Sequence, residues 1–370
     1  MTDGKTAVDR RRFFKRTALV AGGAAVAAPA AMQPAAAVGG PGASNGTTGR
    51  TDVAAAPDAP SKAGRLPREV WIATVSQHDV RADTPRAMVR RMLRRMEEVV
   101  AFRPDIICLP EAFAVANLTG KRLAMAEVAE KPIGELARPL AEFARKHHCY
   151  VVCPMHTKHG DRIYNTAVFI DRSGKLLGEY HKIHPTRGEM EAGISPGPLE
   201  PPVFRTDFGV VGAQICFDIE WTDGWRKLEQ AGAEIVFWPS AFAGGQMVNA
   251  KAWQHKYCVV SSTQKDTSKI CDISGETVAS TSRWNRSTCA SINLEKAFLH
   301  TWPYVRRFGD IEAKYGRDVV IRTFPEEEWS IIESRSPDVK IADIMKEFDL
   351  KTHAEHIAAA DEAQCRCRDM

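Results

Sequence analysis

Three residues that could do chemistry each close an apolar segment whose length and composition predict a β-strand. Glu111 directly follows the segment DIICLP, Lys182 follows KLLGEYH, and Cys216 ends VVGAQIC before a polar turn and a helix. Active sites of α/β proteins usually form at the carboxyl ends of strands. A cysteine thiol, with an ordinary pKa of about 8.5, needs a base and a nearby positive charge to act as a nucleophile. A carboxylate and an ammonium group could supply both.

Each of these residues also has an ordinary structural explanation when it is taken alone. Glu111 fits an exposed turn, Lys182 fits a surface lysine whose stem lies along apolar surface, and Cys216 fits a buried core thiol. The shared position at strand ends favours one common site over three separate explanations.

The elements that must position these residues alternate between strand and helix in the first half of the folded region. Strands are predicted at 69–76, 105–110 and 150–155, and amphipathic helices are predicted to begin at Pro85 and to cover 135–148. From residue 164 onward, β-hairpins are predicted in addition to strand–helix–strand crossovers. Strands are expected at 164–171, 175–181, 203–207, 210–216, 234–239, 258–262 and 288–294, with a hairpin over 270–279 and helices at 225–232 and 249–257. This combination indicates an α/β fold of mixed sheets, with helices on the outer faces.

The first residues have the features of an export signal in the usual order. A basic cluster that contains Arg10 and Arg11 precedes an Ala-rich apolar stretch at 18–31, and a triplet of small residues that suits signal cleavage follows. We interpret 1–37 as a twin-arginine signal peptide, although Asp9 stands where that motif usually has Ser or Thr. A basic disordered tail is the alternative interpretation.

Residues 38–68 contain mostly Gly, Ala, Ser, Thr, Pro and Asp, a composition that predicts a disordered linker. The apolar stretch before it is too short and too rich in Ala for a stable membrane anchor. We therefore expect export through the twin-arginine pathway, to a periplasmic or extracellular location.

Charge and cysteine content exclude several other classes of function. The net charge of the 370-residue chain is only +4, and much of it lies in the N-terminal cluster, so no nucleic-acid partner is expected. Cys365 and Cys367 lack the second pair that a zinc site would need. His156 and His159 show no spacing that requires a metal ion. Sequence spacing thus predicts no metal site.

Several ordered motifs resemble those of the nitrilase superfamily of carbon–nitrogen hydrolases, over 69–297. The similarity depends on LPE, which ends at Glu111, on YHKIH around Lys182, and on QICFD around Cys216. Supporting motifs are YNTA before the lysine strand, Pro-Gly at 196–197, and GAE and WPSA after the cysteine. Ordered motifs in one chain are more specific than any single triplet.

The resemblance implies a four-layer α-β-β-α sandwich with mixed sheets, formed by 69–297. Members of the superfamily usually assemble into dimers or larger oligomers, so we expect a homo-oligomer. The remaining 298–370 is then a C-terminal extension, expected to wrap around the domain or contact another subunit, with helices predicted at 341–348 and 354–363.

The resemblance also implies a role for each motif residue. Glu111 is the base that takes the thiol proton, Cys216 is the nucleophile, and Lys182 stabilises the oxyanion with the backbone N–H of Phe217. The superfamily has a second glutamate after the lysine, for which Glu189 is favoured over Glu191. The other candidates for lining the pocket flank the core motifs: His181, His184, Asp218, Trp221 and Ser240.

The function implied is hydrolysis of an amide or N-carbamoyl amide of a small molecule through a cysteine thioester, with no metal and no cofactor. A nitrilase, which converts a nitrile to acid and ammonia, would use the same residues. An acyltransferase would pass the same acyl group to an amine. A catalytically inactive binding protein is a further alternative, disfavoured because Glu111, Lys182 and Cys216 are all present.

Overall fold

The computed structural model describes residues 66–120 and 123–368. The predicted signal peptide and nearly all of the predicted linker lie outside the described residues. Within them, no helix has the length and apolar character that crossing a membrane requires.

Strands and helices follow one another along the described residues from Glu69 to Arg368. The strands are β1 Glu69–Val75, β2 Ile106–Cys108, β3 Tyr150–His159, β4 Arg162–Ile170, β5 Leu176–His181, β6 Phe204–Arg205, β7 Val210–Ala213, β8 Ile235–Ser240, β9 Cys258–Thr263, β10 Lys269–Cys271, β11 Thr277–Ser280, β12 Ser287–Asn293, β13 Lys296–His300, β14 Val319–Phe324 and β15 Trp329–Ser334. The α-helices are α1 Pro85–Glu97, α2 Met125–Val128, α3 Arg138–His147, α4 Arg187–Glu191, α5 Asp223–Gln230, α6 Gln246–His255, α7 Val305–Tyr315, α8 Ile341–Glu347 and α9 His353–Arg368. Short 3-10 turns cover Val100–Phe102, Cys216–Glu220 and Gly316–Asp318.

Two six-stranded mixed sheets form the centre of the molecule. The first has the strand order β12-β1-β2-β3-β4-β5, and the second has the order β11-β10-β9-β8-β7-β6. In each sheet the central strands are parallel, as in the pairs β1–β2–β3 and β7–β8–β9. The strands toward the edges pair antiparallel through hairpins. Parallel central strands bring their carboxyl ends to one edge, where Glu111 follows β2.

The two sheets pack face to face through aliphatic and aromatic side chains. Val70, Ile106 and Phe169 of the first sheet belong to the same buried cluster as Val211 and Phe237 of the second. These positions alternate along their strands with residues that face the helices, which is the pattern expected of strands buried on both faces.

Helices cover both outer faces and complete the four layers. In α1, Met88, Met92 and Met96 recur every fourth residue and are fully buried against the first sheet. Thr84 caps this helix by accepting a hydrogen bond from the Ala87 N–H. The helices α5 and α6 cover the second sheet in the same way. The predicted four-layer α-β-β-α sandwich is confirmed.

The C-terminal extension has its own small core and a strand content that the sequence did not suggest. Strands β13, β15 and β14 form an antiparallel sheet, and α7 and α8 pack on it through buried aliphatic and aromatic side chains. Phe298 and Ile331 of this sheet also join the core between the two large sheets. The extension therefore packs on its own chain. The predicted helices near 341–348 and 354–363 are present as α8 and α9.

The prediction that a strand runs through Cys216 is wrong. Strand β7 ends at Ala213, and Cys216 begins a 3-10 turn with a φ of +46°. A non-glycine residue in the left-handed region is held there by its surroundings. The apolar residues that suggested a continuing strand are buried because the turn itself is buried: Gln214 and Ile215 are completely inaccessible.

Candidate active site

Glu111 lies just beyond the end of β2, in the interior between the sheets. Glu111 is only 5% exposed, so it is not an exposed turn glutamate. Oε1 of Glu111 accepts a hydrogen bond of 2.8 Å from Nδ2 of Asn165 on β4. Its backbone carbonyl accepts one of 2.6 Å from Nε2 of Gln264. The carboxylate is thereby held in one orientation.

Lys182 follows β5, and its side chain is 1% exposed. Its ammonium group donates to Oε1 of Glu111 at 2.9 Å and to Oε1 and Oε2 of Glu189 at 3.0 and 2.8 Å. Burial alone would lower the pKa of Lys182, but the carboxylates of Glu111 and Glu189 raise it above its ordinary value. A lysine buried without such partners would lose its proton. With these partners Lys182 remains a fixed positive charge.

Glu189 approaches Lys182 from the short helix α4. Thr186 is the N-cap of this helix: its hydroxyl accepts from the Glu189 N–H, and its N–H donates to Oε2 of Glu189 at 2.7 Å. Burial would raise the pKa of Glu189, but Lys182 outweighs this effect, and the pKa is lowered. Glu191, on the same helix, is exposed and forms an ion pair with Arg187. The structure thus brings Glu189 to the site and leaves Glu191 outside it.

Cys216 lies within electrostatic reach of the same two charges. Burial and the charge of Glu111 raise the pKa of its thiol to about 12, against the opposing influence of Lys182, the Ala241 N–H and the Ser240 hydroxyl. The thiol is therefore neutral at physiological pH. A nucleophilic role would require transfer of the thiol proton to a base, and Glu111 is the neighbouring carboxylate. The Cys216 residue is buried but retains 8% exposure.

Asp218 fixes the turn that carries the cysteine. Its carboxylate is fully buried and accepts hydrogen bonds from the Tyr180 hydroxyl at 2.7 Å and from the Ile215 N–H at 2.8 Å. Its other oxygen accepts from the N–H of His184 and lies 3.0 Å from Nδ1 of the same residue. With its oxygens occupied in this way, Asp218 connects the cysteine turn to the segment after Lys182. These hydrogen bonds indicate that Asp218 holds the cysteine turn in position from its buried side.

Phe217 and Trp221 flank the cysteine turn on its more accessible side. The Trp221 ring stacks on His184 with centroids 4.1 Å apart and meets Phe217 edge to face. Phe217 is partly buried, and Trp221 remains 38% exposed. These aromatic rings offer an apolar surface beside Cys216. Behind the turn, Nε1 of Trp238 donates to the Cys216 carbonyl at 3.0 Å.

Asn165 and His156, for which the sequence predicted no role, both lie beside the charged residues. Asn165 donates to Glu111 and to Glu189 at 2.8 Å each. Its place in the YNTA motif was the available signal. Burial lowers the pKa of His156 to about 4; the charge of Glu189 raises this pKa to a smaller extent, and the charge of Lys182 lowers it further. His156 is therefore a neutral neighbour of the lysine. It is paired with Asn165 across β3 and β4.

The family model described as "Carbon-nitrogen hydrolase" matches residues 72–297, more than half of the chain. The chain belongs to the carbon-nitrogen hydrolase family. The matched region contains Glu111, Lys182 and Cys216.

Curated relatives of this hydrolase have several activities. It is 35% identical over 148 residues to a beta-ureidopropionase of Arabidopsis thaliana, covering 38% of this chain and 36% of the relative. It is 35% identical over 137 residues to a nitrilase of Pyrococcus abyssi, covering 37% and 52%. It is 33% identical over 175 residues to a deaminated glutathione amidase of Rattus norvegicus, covering 43% and 52%. The hydrolase thus spans between about a third and a half of these relatives' lengths.

Solved structures similar to this hydrolase share its fold. An amidase from Nesterenkonia sp. matches with a TM-score of 0.55 and 18% identity, covering 68% of this chain and 99% of the other. Nit3 of Saccharomyces cerevisiae, a member of branch 10 of the nitrilase superfamily, matches with a TM-score of 0.54 and 19% identity, covering 68% and 96%. At such identities the likeness shows the architecture alone.

Proposed function

We propose that this hydrolase cleaves an amide or N-carbamoyl amide of a small molecule through a thioester on Cys216. In the first step, Glu111 takes the thiol proton while the sulfur forms a bond to the substrate carbonyl carbon. The carbonyl π electrons move to oxygen. Lys182 and the backbone N–H of Phe217 stabilise the negative charge that develops there.

The tetrahedral intermediate then collapses. The oxygen electrons return to re-form the carbonyl, the carbon–nitrogen bond breaks, and Glu111 gives its proton to the leaving amine or ammonia. In the second half of the reaction, Glu111 takes a proton from water as the water oxygen attacks the thioester carbon. The thiolate leaves and recovers its proton from Glu111. Each proton that Glu111 takes is returned within the cycle.

The single observation that carries this proposal is the contact of the Lys182 ammonium with both Glu111 and Glu189 at 2.8–3.0 Å, in a site whose charges also act on Cys216. A buried lysine held between two carboxylates is costly as a purely structural device, because each buried ion loses its hydration. It suits catalysis, because it fixes a positive charge beside the nucleophile without reorganisation during the reaction.

Two related reactions use the same residues and remain alternatives. A nitrile would give a thioimidate in place of the thioester, and the nitrilase of Pyrococcus abyssi is among the relatives. An acyltransferase would pass the acyl group from Cys216 to an amine. Amide hydrolysis is preferred because relatives named for amide or ureido chemistry match over comparable lengths.

A substrate screen tests the proposal and separates these alternatives. The enzyme is incubated with paired small amides and nitriles, aliphatic and aromatic, and with N-carbamoyl amides, and ammonia release is measured. Faster release from the amide of a pair supports the proposal, and release from the nitrile alone rejects it. Added hydroxylamine should divert the acyl group to a hydroxamate. Substrate consumption that requires an added amine would indicate acyl transfer.

A matched pair of variants assigns the nucleophile in the same screen. Cys216→Ala should abolish ammonia release. Cys289→Ala should retain it. Cys289 is a partly exposed residue on β12, which forms the edge of the first sheet opposite β5. Equal activity of both variants would reject Cys216 as the nucleophile.

We propose in addition that the enzyme is exported by the twin-arginine route and works as a homo-oligomer. Both proposals come from the sequence. The order of features in 1–37 suggests export, and the resemblance to a superfamily whose members usually form oligomers suggests a homo-oligomer. Replacing Arg10 and Arg11 with Lys should block export of the full chain, which cell fractionation would detect. Light scattering of the purified enzyme would determine the number of subunits.

A further inference from the structure

A group of two histidines and one glutamate lies at the edge of the first sheet, outside the site described above. His159 ends β3, and Glu179 and His181 lie two residues apart on β5. One nitrogen from each histidine and one carboxylate oxygen lie within 4.8 Å of one another. Among residues 66–120 and 123–368, this is the group of three such side chains close enough to share a metal ion.

We propose that His159, Glu179 and His181 bind a divalent cation of the zinc class. Two imidazoles and one carboxylate form a ligand set that suits Zn²⁺, Co²⁺ or Ni²⁺, whereas Mg²⁺ and Ca²⁺ prefer oxygen ligands throughout. Three protein ligands leave one position of a tetrahedral zinc ion for water. The site is separate from the cysteine chemistry, which requires no metal ion.

The orientation of His181 is fixed in the way that metal-binding histidines usually are. Its Nδ1 lies 3.0 Å from the hydroxyl of Thr166, which in turn lies 2.6 Å from the hydroxyl of Thr157. When Nδ1 carries the proton and donates to the Thr166 hydroxyl, Nε2 is the nitrogen with a free lone pair. The Tyr164 ring stacks on the imidazole with centroids 4.3 Å apart. The imidazole of His181 is therefore held in place before any ion binds.

Glu179 and His159 are the other two proposed ligands, and they differ in how far they are exposed to solvent. The side chain of Glu179 is only 13% exposed and accepts a 2.9 Å contact from Nε2 of His159. His159 is 40% exposed and precedes Gly160, which has a φ of +59° and open space around it. Ligand atoms in a tetrahedral zinc site are separated by about 3.3 Å, given Zn–N distances near 2.0 Å. The 2.9 Å contact between Glu179 and His159 is already near that separation, and all three ligand atoms lie within 4.8 Å of one another, so small side-chain movements would form the site.

The position of the site suggests what the ion would do. His181 directly precedes Lys182, and successive residues of a strand point to opposite faces. An ion on the outer face would tie the end of β3 to the end of β5, the strand that leads to the buried lysine. We therefore expect it to stabilise the fold near Lys182 by mass action.

Metal titration of the tag-free, chelator-treated full chain tests the proposal. The exposed thiols of α9 are removed as competitors by Cys365→Ser and Cys367→Ser. Co²⁺ is titrated by its visible absorption, and Zn²⁺ by competition and calorimetry. We expect saturation at one equivalent and no thiolate-to-cobalt charge-transfer band, because this site has no sulfur ligand. Zn²⁺ should also raise the melting temperature.

Variants show which side chains bind the ion. His159→Gln and Glu179→Gln should each weaken binding by about tenfold or more. His147→Gln is the control, because His147 forms a similar surface contact with Glu97 that lacks a second imidazole. Failure to bind one equivalent, a sulfur band at saturation, or unchanged affinity in either test variant would overturn the proposal. So would an equal loss in the control. Since His159 is half-exposed at a strand end, its replacement should leave the fold intact, which circular dichroism checks.

Discussion

Nζ of Lys182 lies 2.9 Å from Oε1 of Glu111, although 71 positions separate the two residues along the chain. The contact joins the end of β2 to the end of β5 and buries both charges. Glu189 meets the same ammonium group from α4. Two carboxylates thus share one cation, with the thiol of Cys216 as a further neighbour.

Replacing Lys182 should affect both stability and catalysis. Lys182→Met leaves two buried carboxylates without their cation, and removing one partner of a buried pair typically costs about 3–5 kcal/mol in the free energy of unfolding. The loss of an oxyanion donor should lower kcat by about 100- to 1,000-fold. Lys146→Met, which removes an exposed ion pair with Glu97, should cost less than about 1 kcal/mol. Denaturant unfolding and steady-state kinetics measure both effects, and equal costs for the two variants would contradict the assigned burial.

The two glutamates of α4 form a matched pair for testing the second carboxylate. Glu189→Gln removes a charge that touches Lys182 and should lower kcat by about 100-fold, in the range of catalytic acid–base groups. Glu191→Gln alters only an exposed pair with Arg187 and should leave kcat and KM unchanged. A comparable loss in both variants would indicate that the substitutions act by disrupting the folding of α4. A larger loss in Glu191→Gln would reverse the assignment of the second glutamate.

Asp218 should be required for the geometry of the cysteine turn. Its oxygens face hydrogen-bond donors from Tyr180, Ile215 and His184. In Asp218→Asn the amide N–H groups would face some of these donors, at about 1–3 kcal/mol for each donor left unsatisfied. We expect lower stability together with a lower kcat. The control is Glu220→Gln, at an exposed position of the same turn, and thermal unfolding with kinetics separates the two.

The contribution of Glu189 to stability should depend on pH in a defined direction. Its folded-state pKa is depressed below the ordinary value of 4.5, since Lys182 outweighs the effect of burial. Its contribution is therefore complete above pH 4.5 and is lost as the pH falls through the lower folded-state value. Urea unfolding of wild type and Glu189→Gln, above and below that pH, should show a stability difference that shrinks in acid. A difference that grows in acid would refute the ion pair.

The sequence predicted the strands that carry the site because each is short, apolar and closed by a polar residue. It correctly placed Glu111 and Lys182 just beyond strand ends, but it extended the strand before Cys216 past its end at Ala213. It could not predict the left-handed conformation of Cys216, because the buried turn has the same apolar content as a strand.

Contacts that depend on tertiary structure were also beyond the sequence. The choice between Glu189 and Glu191 depends on the capped geometry of α4, which spacing along the chain does not encode. The strands of the C-terminal extension alternate too weakly to be recognised before they pack. His159 and Glu179 are 20 positions apart, so no local ligand spacing pointed to them.

The central claim, a thioester on Cys216, is tested most directly by mass spectrometry of enzyme quenched in acid during turnover of an amide found in the screen. We predict an acyl mass increment on the peptide that contains Cys216, removable by hydroxylamine and absent from Cys216→Ala. An increment on another residue, or continued turnover by Cys216→Ala, would contradict it.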